Sequence, residues 1–222
     1  MTVGKEVMAK AAKHLTPVTL ELGGKSPCVV DRTAKLELAA KRIAFGKLLN
    51  CGQTCVAPDY ILVERSVKDE FLVYLKKWIV RMYGADATEN DAYVKMINQK
   101  HFDRVTGLID PEKVIFGGGR NERTMQIQPT ILDDVTAEDA VMQEEIFGPI
   151  FPILPVDSMA EAEEFICKRE KPLALYLFTQ NKALAERFLR YVPFGGGCIN
   201  DTIIQTFCTQ TCTRHKNPFP IL

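Results

Sequence analysis

Residues 60–84 read Tyr-Ile-Leu-Val-Glu-Arg-Ser-Val-Lys-Asp-Glu-Phe-Leu-Val-Tyr-Leu-Lys-Lys-Trp-Ile-Val-Arg-Met-Tyr-Gly. The first four are aromatic, β-branched or aliphatic without a break, which predicts a strand over Tyr60–Val63. Phe71, Leu72, Leu75, Trp78, Ile79 and Met82 then recur at spacings of three and four, the stripe of an amphipathic helix, and Gly84 stops it. A strand that feeds a helix is the repeating unit of an α/β fold.

The same alternation extends outward. Val3, Val7, Met8, Ala11 and Leu15 predict a helix over residues 2–14, ended by Pro17. Val18–Leu22 reads as a short strand, Gly23-Gly24 as a sharp turn and Cys28–Val30 as a second strand. Leu36, Ala39, Ala40, Ile43 and Ala44 mark a helix reaching about Leu49. Downstream, Val114–Phe116 reads as a strand ending in three glycines, and Ile150–Val156 as another. Pro152 and Pro155 place the latter at a sheet edge, because proline donates nothing to a ladder. Helices over Ala160–Lys168 and Lys182–Tyr191 bracket a buried strand, Ala174–Thr179, and a last strand begins near Gly197–Ile199. The pattern predicts an α/β fold with an open, largely parallel sheet and flanking helices, without internal repeats. From Thr206 to Leu222 neither period holds, so a disordered tail is expected.

Bulk properties narrow the function. The chain has 222 residues, 46% hydrophobic and 25% charged, enough for a sizeable core. Lys plus Arg and Asp plus Glu both number 28, so the basic excess of a nucleic-acid binder is missing. No apolar run approaches the roughly 20 residues of a membrane span. Residues 1–13 form an amphipathic pattern rather than a secretory signal. Seven scattered cysteines point to reduced thiols and a cytoplasmic location.

Three segments can carry chemistry. Asn50-Cys51-Gly52-Gln53-Thr54-Cys55 follows a helix and precedes Ala57-Pro58. A glycine-containing loop lets backbone N–H groups approach a sulfur and favour the thiolate, although a cysteine is as readily a packing residue. Cys51 and Cys55 also sit at metal-ligand spacing, with no second Cys/His pair nearby. Glu21, in Val18-Thr19-Leu20-Glu21-Leu22-Gly23-Gly24-Lys25, is acidic within an apolar run. Burial there would tune it as a general base; an edge position would simply solvate it. Glu144-Glu145-Ile146-Phe147-Gly148-Pro149 sets two carboxylates before an aromatic residue and a turn, and alone reads equally as a surface loop.

Taken together, these segments resemble the aldehyde dehydrogenase superfamily. Thr16–Pro27 is similar to its glutamate motif, and Gly46-Lys47, Asn50, Gly52–Cys55 and Ala57-Pro58 to its cysteine motif. Glu144–Pro149 is similar to the motif that holds the nicotinamide ribose. Ala57–Tyr60, Arg169–Tyr176 and Gly195–Asp201 further resemble the class III, or fatty-aldehyde, branch. The resemblance runs from residue 2 to about residue 204.

What the resemblance implies is an NAD- or NADP-dependent oxidation of a small aldehyde to an acid. Cys55 would be the nucleophile, forming a thiohemiacetal and then a thioester, and Glu21 the base that activates water. Glu145 would bind the nicotinamide ribose, Phe147 would pack near the ring, and Thr2 and Gly4 would open the helix whose N-terminus faces the pyrophosphate. Lys47 and Asn200 match family positions and are assigned structural roles only. Residues 1–21 would be a remnant of the cofactor-binding domain, 22–205 the catalytic domain and 206–222 an aberrant tail, with Gln205 where the family has a histidine. The family is homo-oligomeric, and its pairing strand and upstream oxyanion asparagine find no counterpart here, so impaired turnover is expected. The alternatives are a folded, non-catalytic remnant and a metal module on Cys208, Cys212 and His215, which offers three ligands where structural zinc takes four.

Overall fold

The structure, a computed structural model, describes residues 2–206. Helix α1 (Thr2–Ala12) leads through irregular chain to strand β1 (Pro27–Val30), helix α2 (Leu36–Leu48), strand β2 (Tyr60–Glu64) and helix α3 (Lys68–Tyr83). Helix α4 (Gln99–Thr106), strand β3 (Val114–Phe116), the hairpin strands β4 (Arg120–Asn121) and β5 (Gln126–Ile127), and strand β6 (Thr130–Leu132) follow. The chain continues through helix α5 (Ala140–Gln143), strand β7 (Ile150–Val156), helix α6 (Met159–Cys167), strand β8 (Ala174–Phe178), helix α7 (Lys182–Tyr191) and strand β9 (Gly196–Ile199).

Seven strands form one sheet in the order β3-β6-β7-β2-β1-β8-β9. Every pair is parallel except β3 with β6. Strands β1, β2 and β8 are buried at every position, as expected for central parallel strands covered on both faces. The helix stripe foreseen after β2 is present: Phe71, Leu72, Leu75 and Ile79 are buried on α3, and Gly84 ends the helix at φ 91°. Side chains cap the later helices, Asn98, Ser158 and Asn181 each accepting an N–H from three residues on.

Two expectations fail for identifiable reasons. Val18–Leu22 is not a strand. Its natural neighbour β1 is already paired on both sides, by β2 and β8, which leaves that backbone no ladder. β7 is an interior strand, not an edge. Its first half, Ile150–Pro152, pairs with β6 and its second half, Ile153–Val156, with β2. Each half has a ladder on only one side, so Pro152 and Pro155 are accommodated without a lost bond on the other. Helix α4, the β4–β5 hairpin, β6 and α5 were not foreseen; all are short, and hairpin strands of two residues leave no periodic trace. Among the described residues no helix is long and apolar enough to cross a membrane. The tail from residue 207 on lies outside them.

Candidate functional site

α2 enters the cysteine loop through three left-handed residues: Asn50 (φ 52°), Cys51 (φ 56°) and Gly52 (φ 75°). Two of them are not glycine, and such backbone persists only where surrounding bonds over-determine it. Here they do. The Asn50 amide donates to the Gln53 carbonyl at 3.0 Å, and the Gln53 N–H returns to the Asn50 carbonyl at 3.0 Å. The Gln53 side chain then clips the loop to residues 95–97, donating to the Lys95 carbonyl at 3.1 Å and accepting the Ile97 N–H at 2.9 Å. Cys51 points inward. Its thiol donates to the Tyr93 hydroxyl at 3.3 Å, which donates to the Ile127 carbonyl at 2.8 Å. Burial pushes the Cys51 thiol up to about 11, so it is a packing residue. The next turn, Thr54–Ala57, is closed by the Ala57 N–H on the Thr54 carbonyl at 3.0 Å, and Cys55 is exposed at its crest.

The Glu144–Pro149 loop is gripped from several sides. Arg104 on α4 donates to the Glu144 carboxylate at 3.1 Å and to the Glu145 and Ile146 carbonyls at 3.2 and 2.6 Å. Lys25 donates to the Val141 and Glu144 carbonyls at 2.9 and 2.8 Å and pairs with the buried Asp59, whose other oxygen accepts the Ile146 N–H at 2.9 Å. Glu145 is half-buried and accepts the Gly24 N–H; burial raises its carboxyl above the usual range, and the neighbouring Asp59 charge adds to that. A Cβ on Gly23 would lie 2.9 Å from the Glu145 carboxylate, so only glycine lets the two segments meet there. Lys47 is fully buried beside the same charges. Burial lowers its ammonium to about 8, the Lys25 charge acting the same way and Asp59 opposing. Phe147 adopts φ 50° and keeps its ring partly exposed.

The structure thus brings the cysteine motif and the segment after Glu21 onto one loop, the one bearing Glu145 and Phe147. Glu21 itself differs from expectation. It lies in irregular chain and is exposed rather than buried in a strand, since the strand does not form. Neither Glu21 nor Cys55 has a hydrogen-bond partner among the described residues. Gly4 is buried, with a Cβ built there only 2.7 Å from Leu22, so α1 packs its first turn against the Glu21 segment; Thr2 begins that helix. Asn200 (φ 58°) is structural: its amide accepts the Thr179 N–H and donates to the Thr179 carbonyl, joining β8 to the chain after β9. Arg104, Tyr93 and the Lys25–Asp59 pair escaped the sequence reading. For Arg104 the signal was Asn98 as a cap with Phe102 and Val105 three apart. Among the described residues no group of three or more His, Cys, Asp or Glu could hold a metal ion. Cys208, Cys212 and His215 lie outside them.

Comparison with known proteins agrees with this convergence of motifs. The family model described as "Aldehyde dehydrogenase family" matches residues 1–213. Over 202 residues the chain is 53% identical to the dimeric NADP-preferring aldehyde dehydrogenase of Rattus norvegicus, covering 91% of this chain and 45% of that protein. It is 50% identical to aldehyde dehydrogenase family 3 member A2 of Pongo abelii, covering 91% and 42%. The structure of substrate-bound Staphylococcus aureus AldH superposes with a TM-score of 0.93 at 47% identity, over 95% of this chain and 46% of that one. The chain therefore spans less than half the length of these relatives. With the fold, the three motifs and the family model in agreement, the chain belongs to the aldehyde dehydrogenase family.

Proposed function

We propose that this chain carries the thiol and carboxylate chemistry of an NAD- or NADP-dependent aldehyde dehydrogenase, oxidising a small aldehyde to a carboxylic acid. The observation that carries the reading is Cys55: an exposed thiol on a rigid turn, packed through Gly52 against the Glu145–Phe147 loop. The Cys55 thiolate adds to the aldehyde carbon, forming a C–S bond and a thiohemiacetal. Glu145 and Phe147 would hold the nicotinamide cofactor, which would supply the acceptor for the hydride that leaves that carbon. The resulting thioester is hydrolysed by water from which Glu21 takes a proton, releasing the acid and the Cys55 thiol.

The residues present fit the cofactor. Glu145 is a half-buried acceptor suited to ribose hydroxyls, and a Cβ on Gly24 beside it would meet nothing within 4 Å, so space is open there. Phe147 offers a partly exposed ring held in a strained conformation, a frequent mark of functional positions. Thr2 and Gly4 open α1, whose unpaired N–H groups suit a phosphate. We take residues 22–205 as the catalytic unit and 1–21 as belonging with the cofactor domain of the family. The protein is assigned to the cytoplasm, in keeping with thiols that form no disulfide at Cys28, Cys51, Cys55 and Cys167. The family relative named "dimeric" suggests self-association of the complete protein.

The test joins this chain to the upstream half of the Rattus norvegicus relative and follows reduced-cofactor absorbance with a medium-chain aldehyde. Cys55→Ala should abolish turnover; Glu21→Gln should keep a first burst and slow the steady state. Unchanged turnover in Cys55→Ala defeats the reading. A folded, non-catalytic role is the second reading, and titration with NAD and NADP separates the two.

A further inference from the structure

The Cys55 turn is anchored at its far end by a group outside all three motifs. Tyr176 lies on β8 with its side chain fully buried. Its hydroxyl donates at 2.5 Å to the carbonyl of Val56, the residue that follows Cys55. Two donors face the same oxygen: the Gln205 side-chain amide at 2.8 Å and the Ile203 N–H. A hydroxyl that accepts from both has one course left for its proton, toward Val56. Gln205 is oriented in turn, since its carbonyl oxygen accepts the Cys198 thiol at 3.0 Å. The chain of hydrogen bonds runs from Cys198 through Gln205 and Tyr176 to the accepting Val56 carbonyl, from strand β9 across β8 to the nucleophile's turn.

We propose that Tyr176, oriented by Gln205, is a positioning residue that fixes the direction in which Cys55 presents its sulfur. The proposal rests on the reading of Cys55 as the nucleophile. The first three residues of the loop are held by Gln53 and Gly52. Beyond Cys55, the Ala57–Thr54 bond closes the turn but does not tie it to the sheet. The Tyr176 hydroxyl supplies that tie, linking the turn to a central strand of the core. Gln205 stands where the resemblance leads one to expect histidine, and its amide serves here as the donor that the hydroxyl requires.

The experiment compares two reactions of the same thiol in the chain as it stands. Alkylation by iodoacetamide asks only for an accessible thiolate. Acylation by p-nitrophenyl acetate asks in addition for a directed approach to the acetyl carbon: a C–S bond forms and the bond to p-nitrophenolate breaks, which colour reports. Tyr176→Phe, which removes one oxygen, should slow acylation of Cys55 on the order of tenfold to a hundredfold while alkylation changes much less. Gln205→Leu should move the ratio in the same direction and covers the case in which Tyr176→Phe does not fold. Tyr191→Phe, at an exposed tyrosine, is the control. A loss of structure would shift both reactions together. If both rates change by one factor, or neither changes, the positioning role is refuted while Cys55 as nucleophile stands. If Cys55 is acylated no faster than Cys167 in the unaltered chain, the nucleophile reading itself falls and this proposal with it.

Discussion

Gly52 and Gly148 meet backbone to backbone: a Cβ built on Gly52 would lie 2.3 Å from the Gly148 carbonyl oxygen. The contact couples the cysteine loop to the Glu145–Phe147 loop without any side chain. Gly52 also holds φ 75°, so alanine there meets both a clash and a left-handed backbone. Gly52→Ala should destabilise the chain by roughly 1–3 kcal/mol from the backbone conformation alone, with more from the clash. Urea unfolding measures it. A midpoint equal to that of the unaltered chain would show that the loops separate freely.

Asp59 is the buried hinge of the same region, bound at once to Lys25 and to the Ile146 N–H. Asp59→Ala leaves Lys25 without its counter-ion, and removal of one partner of a buried pair costs about 3–5 kcal/mol. Arg104→Ala, at a more exposed guanidinium, should cost less overall and act locally, speeding hydrogen exchange of residues 144–148. Equal stability losses in the two variants would contradict this ranking.

Lys47 predicts a pH dependence. Its folded-state value is lowered from 10.5 to about 8, so between those values the unfolded chain binds more protons than the folded one. Stability from this group is full above 10.5 and is lost as pH falls through about 8. Cys51 acts oppositely: raised from 9.0 to about 11, it withdraws stability as pH rises through that range. The clean window is therefore pH 8 to 9. There the stability of the unaltered chain should rise relative to Lys47→Met, by about 1 kcal/mol for one pH unit of full linkage. Parallel denaturation curves for the two chains would exclude it.

Cysteine labelling should be selective. Cys28 and Cys51 are buried with thiols pushed up by burial, and Cys167, although exposed, is raised by partial burial and by Glu163. Cys55 is exposed at the crest of its turn, so a brief iodoacetamide pulse followed by mass-spectrometric mapping should find it modified ahead of these three. Preferential labelling of Cys167 would count against it.

The 222-residue polypeptide assayed by itself should oxidise aldehydes well below the ~1 s⁻¹ low end of enzymes. In the function proposed above Glu145 and Phe147 would hold only one end of a dinucleotide, and positioning can account for roughly 7–11 kcal/mol of a barrier. Turnover near 1 s⁻¹ that vanishes in Cys55→Ala would overturn this expectation.

The sequence by itself determined the strands β1, β2, β3, β7, β8 and β9, the helices α1, α2, α3, α6 and α7, and the family. Those elements are long or apolar enough for their period to show, and the motifs are runs of adjacent residues. Tertiary structure alone decided the rest. Whether Val18–Leu22 becomes a strand depends on a free ladder, and β1 has none to give. Whether Pro152 and Pro155 sit inside a sheet depends on β7 changing neighbours halfway along its length. The grip of Arg104, Asp59 and Tyr176 on the two functional loops joins residues 41, 87 and 120 positions apart. Hydrogen bonds between such distant positions leave no periodicity in a chain; only folding brings donor and acceptor within bonding distance of each other.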